Sequence, residues 1–315
     1  MAELPFHPDQ EPNLMRFKAG KSGDLVRANA EESDDEAFLA YWAEARQRLM
    51  EATPSREEGI DVARVASYFA KKGLAVRPHI LLTPEDVPEF RRVLAANGIS
   101  NNVAEKDSFI GGYLHEVGLT FVVRDPAMEA ANGPGFSEAT LVHEKSHSSG
   151  KYYDMALLKT EDGTELFQPL RQGHNVAGQG GFIEEAFGAV VEMDYIQNEL
   201  GLPHGFSGID GFMDTDLGQI PGKYIAKAPN GAIAYGSSAL AGYGFELLNA
   251  KDPEIIPALY RARNNVDGLR EVAYRIERVS PGLYRNLRDL SYEDTGDDFK
   301  RGLDLIRRAS GGDSE

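Results

Sequence analysis

The chain has no cysteine in its 315 residues. That excludes disulfides, thiolate nucleophiles and thiolate-held zinc, so any metal must be bound by His, Asp, Glu or water. Long apolar runs are also missing. No stretch of about 18 apolar residues exists to cross a bilayer, and the opening MAELPFHPDQEPN has no basic patch ahead of an apolar segment, so a cytoplasmic location without a membrane partner is expected. Positive charge is scarce, with 33 Lys and Arg against 50 Asp and Glu and a formal net charge of −17. A phosphate backbone needs clustered cations, so no nucleic acid partner is expected, and the acidic excess reads as solubility.

What is present suffices for a folded core, at 42% hydrophobic content. Residues 1–32 are rich in Pro, Gly and charge and read as a flexible N-terminal tail, pinned at most by Phe6, Leu14 and Phe17. Residues 33–315 read as the domain proper. A helix follows Ser33, with Phe38, Tyr41, Trp42, Ala45 and Leu49 at helical spacing. A second is announced by Ser55 and Glu58 at capping-box spacing and stops at Gly73; a third runs from Thr83 and Pro84 to about Asn97. LAVRPHILL between them is a candidate strand, and its His79 reads as structural. Tyr113 to Arg124 reads as a strand or hairpin broken at Gly118, Ser137 as the cap of the next helix, and YYDMALLKT and TELFQPL as a hairpin turning at EDG. From Gly181 onward the pattern is nearly all helical, with a Gly- and Pro-rich connection over 201–234 and a helical C-terminal subdomain from about 236.

Leu141 to Gly150 reads LVHEKSHSSG, in which His143, Glu144 and His147 fit HExxH. Residues four apart lie one turn above each other on a helix, so both imidazoles can address one metal ion while Glu144 stands by to take a proton from water on that ion. Two histidines leave a catalytic zinc one protein ligand short. The extension HExxHxxGxxH fails, since Tyr153 stands at its last position. GFIEEAFGAVVEMDY offers Glu184 and Glu185 in an apolar stretch, where an unpaired carboxylate is costly to bury. Nucleotide loops and GxSxG elbows have no counterpart in the chain.

With these motifs, over roughly residues 110–250, the chain resembles the gluzincin zinc metallopeptidases, in which HExxH is followed by a glutamate ligand on a second helix. The resemblance implies an α+β, zincin-like fold, with a small mixed sheet packed on the HExxH helix and a mainly helical C-terminal portion. It implies one Zn2+ per chain held by His143, His147 and Glu185, since Ala186 follows Glu185, with Glu184 in reserve. It also implies a peptide or protein substrate, hydrolysed with Glu144 as the base. Tyr235 resembles the family's oxyanion stabiliser, with Tyr243 and His204 as alternatives. Leu119 to Arg124 is the candidate sheet edge that takes substrate as an added strand.

The chain departs from the family's pattern in two places. Lys145 follows the catalytic glutamate where an uncharged residue is usual; about 200° of rotation lets it face away from the metal toward solvent or a carboxylate. Ala189 stands where an acid usually orients a histidine, leaving Glu192 or Asp194 for that task. Both departures suit a rival reading, a zinc-binding pseudo-peptidase that acts as an interaction module. A third reading makes HEKSH coincidental. His115 and Glu116 read as strand residues, and His174 as a loop-shaping one.

Overall fold

Alternation along three short strands decides what the HExxH helix rests on. The computed structural model describes residues 17–19, 25–27, 35–53, 55–97, 99, 111–114, 117–132, 135–150, 153–159, 165–176, 179–202, 225–227, 233–265, 267–290 and 295–311. Strands β1 (Phe17–Ala19) and β2 (Leu25–Arg27) pair antiparallel within the N-terminal 32 residues; Phe6 and Leu14 lie outside the described residues.

Helix α1 (Asp35–Ala52) and helix α2 (Val62–Lys71) precede the sheet. The carboxylate of Asp61 caps α2 by accepting the N–H of Arg64 at 2.9 Å. The expected Ser55 and Glu58 box is not the cap, because the Ser55 hydroxyl is taken by the N–H of Leu81 at 3.0 Å.

Strands β3 (His79–Leu82), β4 (Gly111–Leu114) and β5 (Leu119–Val123) form a mixed sheet in the order β3-β5-β4, with β3 parallel and β4 antiparallel to β5. Leu81 and Val122 join the cluster that holds the HExxH helix, whereas Ile80, Leu82, Phe121 and Val123 join a second cluster with Leu49 of α1 and with Phe90 and Leu94 of α3 (Val87–Ala96). Both faces of β5 are covered, which is why it reads LTFVV with no polar alternation beyond Thr120. This corrects the expected substrate edge: Leu119–Val123 is the central strand, and β4 is an edge among the described residues.

Helix α4 (Pro126–Asn132) leads into α5 (Phe136–Ser148), the HExxH helix. Ser137 is not its cap. Gly135 takes that position at φ +88°, and Glu129 of α4 accepts the N–H groups of Gly135 (2.7 Å) and Ser137 (2.9 Å) and the Ser137 hydroxyl (2.6 Å). A carboxylate there also suits the positive end of the helix dipole. The hairpin around EDG is present as β6 (Tyr153–Lys159) and β7 (Glu165–Gln172), extended by β8 (Asn175–Val176).

Helix α6 (Gly181–Asn198) is apolar on nearly every side and is buried almost throughout, as such a helix must be. Strands β9 (Ile225–Lys227) and β10 (Ile233–Tyr235) pair before α7 (Gly236–Lys251), followed by α8 (Ile255–Asn264), α9 (Gly268–Val279), α10 (Leu283–Arg288) and α11 (Thr295–Ala309). Leu240, Phe245, Leu259, Ile276, Leu287 and Leu303 from these helices share one core with Leu141 and Val142 of α5. The class is α+β. No helix among the described residues is long and apolar enough to cross a membrane.

Candidate metal centre

Helices α5 and α6 approach closely at Gly188, where a Cβ would stand 2.9 Å from Cε1 of His143 and 3.2 Å from the Ser146 hydroxyl. That approach brings three expected residues together. His143 and His147 sit one turn apart with their Nε2 atoms 3.3 Å from each other. Glu185 lies across from both, its Oε2 3.4 Å from Nε2 of His143 and its Oε1 3.4 Å from Nε2 of His147. All three are buried, one ligand atom of each lies within 4.8 Å of the others, and the group could hold a metal ion.

The far side of each imidazole is fixed by a carboxylate. Nδ1 of His143 donates to Glu192 at 3.1 Å, and Nδ1 of His147 donates to Glu184 at 2.9 Å. With the proton held at Nδ1, the Nε2 lone pairs face the shared space, as metal-ligating histidines require. Of the two acids considered for this task, Glu192 performs it one turn beyond Ala189. Asp194 instead accepts from the Tyr68 hydroxyl and pairs with Lys72, each at 2.7 Å. Glu184, the reserve ligand, is an orienting group.

Two residues that the sequence reading missed complete the surround. Ser238 of α7 donates its hydroxyl to Oε2 of Glu185. Arg263 of α8 brings Nη2 to 2.6 Å from Oε1 of Glu184, with its guanidinium 4.0 Å from the centre of the Phe187 ring. Arg263 carried a signal: the buried residues of α8 are Ile255, Ala258, Leu259, Ala262 and Arg263, so the arginine continues an apolar stripe. A cation on such a stripe needs a buried anion. Ser238, within GSSALAG, carried none.

The electrostatics follow from these contacts. Burial opposes ionisation of Glu184, but Arg263, His147 and His174 hold its carboxyl well below the ordinary range. Burial likewise opposes Glu185, and His147, His143 and the Ser238 hydroxyl bring it down to about 2. Glu192 is raised by burial, against the pull of His143 and with Glu144 and Glu185 adding to the rise. Burial disfavours charge on His143, yet Glu185 and Glu192 raise its pKa well above the usual value. The cage therefore attracts positive charge, and a proton and a metal cation compete for the same Nε2 atoms.

Glu144 is the one member of HEKSH that keeps partial exposure. It lies against β4: a Cβ on Gly111 would come within 2.9 Å of Cγ of Glu144. Lys145 faces away from the imidazoles, as its rotation along the helix requires, but reaches neither solvent nor a carboxylate. It is 2 % exposed and donates to the carbonyl oxygen of Arg77, and burial, then Arg77, lower its pKa to about 7. Arg77 in turn donates to the carbonyls of Ser148 (2.6 Å) and Gly150 (2.8 Å) at the end of α5.

His174 shapes the turn between β7 and β8 and also serves the site, its N–H donating to Oε2 of Glu184 at 2.8 Å. His79 has a buried Nε2 with no hydrogen-bond partner. Tyr235 ends β10, three residues before Ser238, and its side chain lies outside the described part of the structure. Tyr243 packs on the main core with Arg307 over its ring. His115, Glu116 and His204 lie outside the described residues.

Comparison with known proteins gives no match to any family model, curated protein or solved structure.

Proposed function

We propose that the chain is a zinc-dependent peptide-bond hydrolase of zincin-like fold, with His143, His147 and Glu185 holding the ion. The observation that carries this reading is the convergence of two Nε2 atoms and one carboxylate at 3.3–3.4 Å, with each Nδ1 tied to a separate acid. The donor set fits the group: two neutral imidazoles and one carboxylate are a common catalytic zinc set that leaves a coordination position open. Zinc in that place supplies Lewis acidity, polarising the scissile carbonyl and making water a better nucleophile.

The chain's own residues do the rest. Glu144, partly exposed beside Gly111, accepts the proton of the attacking water and returns it to the leaving amine. Ser238 holds Glu185 in its ligand rotamer. The backbone of β4, antiparallel to β5 and adjacent to Glu144, offers the extended peptide an edge to pair with, in place of the Leu119–Arg124 segment. Tyr235 is assigned to the oxyanion because it precedes α7, the helix that touches Glu185 through Ser238.

Two features favoured a non-catalytic binder, and both have structural accounts. Lys145 is engaged on the far side of α5, and Glu192 supplies what Ala189 lacks. Glu144→Ala tests the reading. It should keep about one zinc per chain by elemental analysis while cleavage of an unbiased peptide library falls by about 10²–10⁴-fold or more. Hydrolysis that survives in this variant sinks the mechanism.

A further inference from the structure

We infer that Arg263 is a positioning residue for the metal site, acting through Glu184 to keep that glutamate an orienter and not a second carboxylate ligand. The inference rests on the metal-site reading above. Glu184 and Glu185 are adjacent on α6 and both buried, and sequence alone leaves open which of them meets the ion. The structure separates them by their partners. Both oxygens of Glu184 are engaged away from the imidazole Nε2 atoms: Oε1 by Nδ1 of His147 at 2.9 Å and Nη2 of Arg263 at 2.6 Å, Oε2 by the N–H of His174 at 2.8 Å. Glu185 and Glu192 have no Lys or Arg against them among the described residues, so Arg263 is the cation that tells the carboxylates apart.

The guanidinium is held from two further sides. Its plane lies 4.0 Å from the Phe187 ring centre, and its edge fills the space over Gly173, where any Cβ would collide with it. Gly173 has φ +57°, so the β7–β8 turn is built to leave that space. Without the guanidinium, Glu184 is a buried carboxylate without its countercharge, and the cation nearest to it is the metal.

The test uses the full-length chain loaded with Co2+ in place of zinc, read by the visible absorption of the ion and by competition with a chromophoric chelator. Wild type should give the intense spectrum of a four-coordinate site. Arg263→Met should weaken Co2+ binding by about 10–100-fold and shift the spectrum toward the weaker bands of higher coordination as Glu184 turns to the ion. Arg263→Met combined with Glu184→Gln removes anion and cation together and should restore the four-coordinate spectrum, a rescue that a merely structural arginine would not give. Arg263→Gln keeps a polar side chain but removes the charge and should reproduce the spectral shift; it decides the matter if Arg263→Met does not fold. A folded Arg263→Met chain with wild-type spectrum and affinity overturns the inference and leaves the metal-site reading intact. A wild-type chain that takes up no Co2+ or Zn2+ overturns both.

Discussion

Helix α5 carries buried charge on two sides, and the two sides are of opposite sign. Toward α6, His143 and His147 meet Glu184, Glu185 and Glu192. Toward β3, the buried basic groups of Lys145 and Arg77 donate to backbone carbonyls. The cationic side is closed: each donation ends on an oxygen fixed by the fold, and together they tie the segment before β3 to the last turn of α5. The anionic side is open, because the Nε2 atoms and Glu185 converge on one shared space that a proton or a metal cation can occupy. A buried charge that ends on backbone is a clamp, whereas one that ends on other acceptors calls for a ligand.

That contrast is best broken by variants that should affect one side and spare the other. Arg77→Met leaves the carbonyls of Ser148 and Gly150 without their donor and should lower stability by about 3 kcal/mol in urea unfolding. Its zinc affinity should change by less than about threefold, and a larger loss would join the two sides into one unit. Glu192→Ala should do the reverse, weakening zinc by about 10–100-fold while the metal-free protein unfolds at nearly the wild-type midpoint.

His79 sharpens the comparison through pH. Burial, with Lys145 adding to it, holds its folded pKa well below the unfolded value of about 6.5. The unfolded chain therefore binds a proton that the folded chain refuses, and stability falls as pH drops below about 6.5, by about 1.4 kcal/mol at pH 5.5. His79→Gln should flatten that part of the stability curve, measured against wild type at several pH values. An unchanged slope would mean that the imidazole is solvated. The smallest effect belongs to Lys145→Met, which removes both a buried, desolvated amine and its hydrogen bond. These opposing changes should leave stability within about 1 kcal/mol and zinc binding intact. Lost zinc binding would put Lys145 back at the site.

Much of this arrangement was legible in the sequence, and the reasons are physical. A four-residue spacing places two imidazoles on one side of a helix wherever it packs, so His143 and His147 need no tertiary information. Acids in an apolar helix imply a buried positive partner, which brought out the 184/185 pair. The need of a ligating imidazole for an acceptor at its second N–H brought out Glu192 alongside Asp194. Ser238 and Arg263 come from helices distant in the chain, and only packing decides which helix meets which. The strand error has a similar origin. LTFVV is apolar on both faces, which marks a central strand, whereas the edge GGYL is short and glycine-bearing because it must run close to Glu144. Two expected caps, at Ser55 and Ser137, were displaced by a strand N–H and by a remote carboxylate, Glu129.

The position of Arg263 on α8 also sets an order of assembly. During synthesis HEKSH and both glutamates of α6 emerge well before α8, so the histidine ligands and Glu185 exist for a time beside a Glu184 that lacks its countercharge. On the proposed metal-site reading, two neighbouring carboxylates would compete for an arriving ion until the later helices dock on the shared core. On the proposed metal site and the role inferred for Arg263, faithful metallation would wait for α8, and a chain ending after α7 would carry every proposed ligand yet lack the means to choose between them.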